Sequence, residues 1–185
     1  MNYQEAYELV LSECHEALAH VDAEQTEAFI RMITEAENVF AIGVGRVKME
    51  LEAMAKRLYH LGIHIHIVGD VNEPAMKPGD VLIVGSGSGE SLIPVAIAKK
   101  AKSLGGKIIH IGSNPQSSLA PITDLMIRIP VQTKLYLDDE ISSKQPMSSL
   151  FEQSLLLWGD SVACMMVHNQ GIELKKLWHY HANLE

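Results

Sequence analysis

Val81-Leu82-Ile83-Val84-Gly85-Ser86-Gly87-Ser88-Gly89-Glu90-Ser91 is the stretch that decides the fold. Its four consecutive apolar, mostly β-branched residues read as a strand buried on both faces, as the strands of a parallel sheet are. A loop of alternating Gly and Ser follows, and residues 90–104 then read as a helix stopped by Gly105-Gly106. Residues 107–111 are the next apolar strand and 124–129 a further one. Upstream, residues 38–42 form a short apolar run ending in glycines, 46–61 a helix stopped by Gly62, and 64–68 another strand. Strands alternating with helices predict a three-layer α/β/α sandwich around a parallel sheet.

The flanks add helices. Residues 2–19 place Tyr3, Ala6, Tyr7, Val10, Leu11, Cys14 and Leu18 on one apolar side, and Asp22-Ala23-Glu24-Gln25 reads as a capping box opening a helix to about Ala36. Residues 130–144 are polar and without period, hence a loop. A long helix is expected from near Pro146 to Asn169, with Gly171 breaking it before a C-terminal helix and tail over 171–185. With 185 residues and no linker or repeat, the chain reads as one domain, 1–185, on which the helices of 1–36 pack.

A net charge of −8 and the lack of any basic run argue against a nucleic-acid partner. The N-terminus has no basic segment followed by an apolar one, and no run nears 18 apolar residues, so neither a signal peptide nor a membrane span is expected and the location reads as cytoplasmic. Cys14 and Cys164 are far apart in helical patterns and read as two buried, reduced thiols.

The Gly/Ser loop reads as a phosphate cradle. Glycines turn the backbone tightly and expose N–H groups, Ser86, Ser88 and Ser91 add hydroxyls, and the helix start adds its positive dipole end. Gly87, Gly89 and Glu90 complete the candidate loop. A P-loop would need a Lys after it, and a dinucleotide fingerprint would need an acid at the end of the following strand. That strand ends His110-Ile111-Gly112-Ser113-Asn114, so neither fits. The first strand also ends in glycines, Gly43-Val44-Gly45-Arg46. There the backbone admits a ligand, and Arg46 either reaches a substrate oxygen or pairs with a surface carboxylate.

Gly-Ser-Gly-Ser-Gly-Glu-Ser after a strand resembles the signature of the SIS (sugar isomerase) domain. Gln145-Pro146-Met147-Ser148-Ser149-Leu150-Phe151-Glu152-Gln153 is similar to the QPMGSLFEQ motif of the 6-phospho-3-hexuloisomerases, and His181-Ala182-Asn183-Leu184-Glu185 to that family's HANLE terminus. With Ala55-Lys56-Arg57-Leu58-Tyr59-His60-Leu61-Gly62 the likeness runs over essentially the whole chain. It implies a five-stranded, flavodoxin- or Rossmann-like SIS fold. It also implies a homo-oligomer, a tetramer, converting 3-hexulose 6-phosphate to fructose 6-phosphate with no cofactor and no metal. By the same resemblance the loop serines bind phosphate, Glu152 is the base, and His181 enters a neighbouring subunit's site. Val47 stands where the family has Ser, and Ser91 where it has Thr.

The chemistry suits these residues. Moving a carbonyl by one carbon requires removing the neighbouring proton and returning it one carbon away, which a carboxylate can do through a cis-ene-diol. Glu152 sits among Leu150, Phe151, Leu155 and Leu156, apolar enough to desolvate it; spacing alone favours a carboxylate that caps its helix or faces water, and the motif match reverses that. His181 suits proton movement between the two oxygens, since imidazole side chains are the usual proton shuttles of enzymes. His64 and His66 share a strand face without a third ligand, so no metal site is expected. His60, His110 and His179 either line the pocket or are satisfied near it. Another phosphosugar aldose–ketose isomerase and a non-catalytic phosphosugar-binding module are the alternatives. The partner in every case is a phosphorylated sugar, for the leading reading a phosphorylated ketose.

Overall fold

Alternate residues along the central strands go to opposite faces, and both faces are buried, which is why these strands are apolar without a break. The computed structural model describes residues 1–184. Five parallel strands form one sheet: β1 (Val39–Ile42), β2 (Ile65–Ile67), β3 (Val81–Gly85), β4 (Lys107–Gly112) and β5 (Leu125–Arg128), in the order β2-β1-β3-β4-β5. Val39 pairs with Ile65 and Val81, Val81 with Lys107, and Ile109 with Leu125.

Val39, Ala41, Val81, Ile83, Ile109, Ile111 and Ile127 point into the larger core. There they meet Leu51, Met54 and Leu58 of α3 (Gly45–His60), Leu155, Trp158 and Val162 of α5 (Ser149–Asn169), and Cys14, Phe29 and Ile33 of α1 (Tyr3–Ala19) and α2 (Ala23–Glu35). Phe40, Ile42, Leu82, Val84 and Ile108 point the other way, onto Ala98 and Ala101 of α4 (Leu92–Ser103). The three-layer α/β/α sandwich is therefore present, with its heavier layer on the α3/α5 side.

Several boundaries differ for local reasons. Residues 90 and 91 belong to the turn, and α4 starts at Leu92 with Ser91 as its N-cap. The long helix begins at Ser149 rather than near Pro146, because Met147 holds φ at 56°, outside the helical region. Asp22 accepts a 2.9 Å bond from Gln25 N, but only that half of the capping box forms; the complete box is made by Asn2 and Glu5. The C-terminal helix is a 3-10 helix, Leu174–Tyr180. Cys14 is buried, but Cys164 is exposed, so the expectation of two buried thiols holds for one of them. Among the described residues, no helix is long and apolar enough to cross a membrane.

Candidate active site

From β1 the chain leaves through α3 toward β2, and from β3 through α4 toward β4, in opposite directions along the sheet. A crevice opens where such neighbouring strands diverge, at their carboxyl ends. A cavity of about 280 Å³ lies there, walled by Val44–Val47 after β1, Gly85–Ser88 and Ser91 after β3, Thr133 and Lys134, and Met147, Ser148, Phe151 and Glu152 at the start of α5.

The loop after β3 is built with its carbonyls tied back. Ser86 O accepts from Gly89 N (3.0 Å) and His110 Nε2 (2.9 Å), Gly87 O from Ser113 N (2.8 Å), and Ser88 O from Asn114 Nδ2 (3.3 Å). Ser86 Oγ donates to Ser91 Oγ at 3.1 Å, and Ser91 leaves the first turn of α4 without a side-chain cap. Hydroxyls and a helix N-terminus thus face the cavity, the donor set a phosphate needs. Gly89 is held at φ +67°, and a Cβ there would lie 2.3 Å from the Ser117 side chain. His110, 1% exposed, is the floor of this loop. Burial pushes its imidazole below the usual value, against the smaller opposing pulls of the Ser86 carbonyl and Glu90.

Gly89 and Glu90, both candidates from the motif, do not wall the cavity. Glu90 turns away and accepts from Ser118 N (2.7 Å) and Ser118 Oγ (2.5 Å), which hold its carboxyl below the usual range. In this arrangement its carboxylate fastens the loop to Ser118 rather than facing the cavity.

Glu152 does not face water: it is 7% exposed on the first turn of α5, within the cavity wall. Ser148 Oγ donates to its Oε1 at 3.1 Å, and its Oε2 lies 2.9 Å from Arg46 Nη1. That approach is close but off the line of a hydrogen bond, so the buried Oε2 has a charge partner and no directional donor. Arg46 Nη1 also donates to Ser149 Oγ at 3.2 Å. Arg46 and Gly45 therefore reach the site as expected, but Arg46 is engaged with Glu152 rather than waiting for a substrate oxygen. Val47 lines the same wall, and Glu50, one turn beyond Arg46, has its carboxyl raised by burial and by Glu152 against the pull of Arg46.

Three contributions had no sequence signal. Ser148 orients Glu152. Thr133 and Lys134 come from the polar 130–144 loop, which had suggested no role. Glu13, buried on α1, accepts from Ser143 Oγ (2.6 Å), Lys144 N (2.9 Å) and Gln145 Nε2 (3.0 Å), pinning the strand of chain that delivers Met147 and Ser148. Burial pushes the Glu13 carboxyl up, but these three donors and the Lys144 charge together hold it below its ordinary 4.5. Its folded value lies under its unfolded one, so this stabilisation is present above about pH 4.5 and is lost as pH falls through the lower, folded value. Glu13→Ala is expected to cost about 1–3 kcal/mol at pH 7, the cost of stranding buried donors. Urea unfolding across pH should show that gap closing in acid; a pH-independent gap would mean the carboxylate charge is irrelevant.

His181 does not wall this cavity. Its ring stacks on His60 with centroids 5.6 Å apart and lies 5.1 Å from Trp178, at the far end of α3. Burial, Lys56, Arg57 and His181 together keep the His60 imidazole below its usual value. His66 sits against Phe40, and among the described residues no three His, Cys, Asp or Glu gather as metal ligands. A larger groove of about 760 Å³ runs between α5 and the C-terminal segment; Ala163, Val167, Ile172, Leu174 and Leu177 give it a mostly apolar lining, with Arg57, Asp160 and His168 as its charged or titratable groups.

The SIS domain family model matches residues 32–157. The 3-hexulose-6-phosphate isomerase of Bacillus subtilis is 37% identical over 95% of this chain and 95% of its own length. That of Mycobacterium gastri is 38% identical over 96% of this chain and 88% of its own. A solved structure from Methanococcus jannaschii, described as inferring a 3-hexulose-6-phosphate isomerase function, superposes with a TM-score of 0.83 at 28% identity, covering 98% of this chain and 99% of that one.

Proposed function

The chain belongs to the SIS-domain sugar-phosphate isomerases of the 3-hexulose-6-phosphate isomerase family, and on that premise we propose that it interconverts 3-hexulose 6-phosphate and fructose 6-phosphate by proton transfer through a cis-ene-diol. The observation that carries the reading is the buried Glu152 carboxylate on the wall of the same cavity as the serine loop. With the phosphate seated on Ser86, Ser88 and Ser91, the sugar carbons extend toward Glu152. Glu152 takes the C2 proton of the 3-ketose, and the electron pair moves to the C3 carbonyl oxygen, giving the 2,3-ene-diol. Return of the proton to C3 leaves the carbonyl at C2. The electrons stay within the substrate, so the isomerisation needs no external oxidant or reductant. The reading includes a cytoplasmic location and a homotetramer in which His181 serves a neighbouring subunit as the oxygen-side proton carrier.

The test is solvent exchange. Incubated with fructose 6-phosphate in deuterium oxide, the enzyme is expected to place deuterium at C3, read by proton NMR. Exchange at C1 instead would identify an aldose–ketose isomerase, and no exchange at any carbon would identify a binding module.

A further inference from the structure

We propose that Lys134 is the cation that holds the substrate phosphate, and that Glu140 is the positioning residue that puts it there. The inference rests on the phosphosugar reading above and deepens it. Three ionisable side chains wall the cavity, and two of them, Arg46 and Glu152, oppose each other at 2.9 Å. The surplus positive charge of the site is that of Lys134, which makes no ion pair among the described residues. A phosphate monoester carries close to two negative charges at neutral pH, which a loop of neutral serines and one helix terminus only partly offsets.

Position favours the phosphate end over the reacting carbons. The preceding residue, Thr133, is buried, and its Cγ2 lies 3.2 Å from where a Cβ on Gly87 would stand, so the segment abuts the cradle itself. Lys134 also acts electrostatically on Glu90, two residues past Ser88. The loop bearing it is constructed around one carboxylate. Glu140 accepts from Thr133 N (3.0 Å), Thr133 Oγ1 (3.0 Å) and Leu137 N (3.0 Å), while Thr133 Oγ1 accepts from Leu135 N (3.2 Å). Val131 bridges Ile141 behind it, and Arg128 pairs with Asp139. A loop with no helical or strand period is thus given a fixed shape, with Lys134 in its first turn.

The probe is inorganic phosphate, titrated calorimetrically into wild type, Lys134→Met, Lys134→Arg, Glu140→Gln and the double variant, with kcat and KM measured in parallel. Lys134→Met is expected to weaken phosphate about tenfold, to flatten the salt dependence of binding, and to raise KM far more than it lowers kcat. Lys134→Arg should recover most of the loss. Glu140→Gln should weaken phosphate several-fold, and in the double variant add little to Lys134→Met, because the two act through one contact. Unchanged phosphate affinity in Lys134→Met, or a fall in kcat at constant KM, overturns the assignment. Additive losses overturn the positioning role of Glu140. Phosphate binding is read without turnover, so failure of the isomerase reading would show separately, as wild type that binds phosphate and exchanges no proton. Circular dichroism of each variant identifies any loss of fold, and Lys134→Arg, the mildest change, keeps the question decidable.

Discussion

Glu152→Gln is expected to lower kcat at least about a hundredfold, the usual loss when a general base is removed, while phosphate affinity stays near wild type. The amide has the same volume and can still accept from Ser148 Oγ, so the start of α5 has no reason to move. What disappears is the anionic oxygen at Oε2, the one buried atom on the cavity wall with a cation beside it but no directional donor. A lone pair without a hydrogen bond to lose is well placed to take a proton from carbon. The cradle lies on β3 and α4, and its serines make no hydrogen bond to Glu152, so inorganic phosphate should compete as before. Near-normal turnover would remove Glu152 from the mechanism. Parallel loss of phosphate binding would instead mark its pair with Arg46 as structural.

What the sequence reveals and what it hides follow from how each contact is encoded. The cradle is legible because strand, glycines, serines and helix start are contiguous from Val81 to Ser91, and each residue type has its own backbone reason. The parallel sheet is legible for the same reason, since burial on both faces writes itself as unbroken apolar runs. Arg46 and Glu152 each appear as candidates, but their pairing depends on α3 packing along α5 and has no local trace. The likeness to a family motif singles out Glu152, whereas spacing alone favours a helix-capping or solvated carboxylate. Lys134 is hidden more deeply. The loop that carries it is shaped by side chains bonding to backbone around Glu140, and such bonds impose no period that a sequence could display. Glu13 lies hidden because its partners, at 143–145, are at the other end of the chain.

On the proposal that His181 completes a neighbouring subunit's site rather than its own, deleting residues 181–185 is expected to abolish turnover while leaving the sheet and its thermal unfolding intact. Within one chain, His181 is stacked on His60, whereas Arg46 marks the cavity at the opposite end of α3. Fourteen helical steps separate Arg46 from His60, about 21 Å at 1.5 Å per residue. An imidazole held there cannot pass a proton to an oxygen beside Glu152 of the same subunit. A symmetric assembly, however, can bring the tail of one copy to the cavity of another. The cavity mouth has a fitting feature in Met147, 90% exposed and held at φ 56°, an apolar side chain at the rim in a backbone conformation that costs energy to maintain. Complementation decides the matter. Glu152→Gln and His181→Ala proteins, each inactive alone, are unfolded, mixed and refolded together. Random assortment gives about a quarter of the sites both an intact Glu152 and an intact His181 from different subunits, so activity should return to about that fraction. Mixed oligomers verified by mass that stay inactive would show that the tail serves its own subunit. In that case, His181 would have to leave His60 and swing the length of α3 for each turnover.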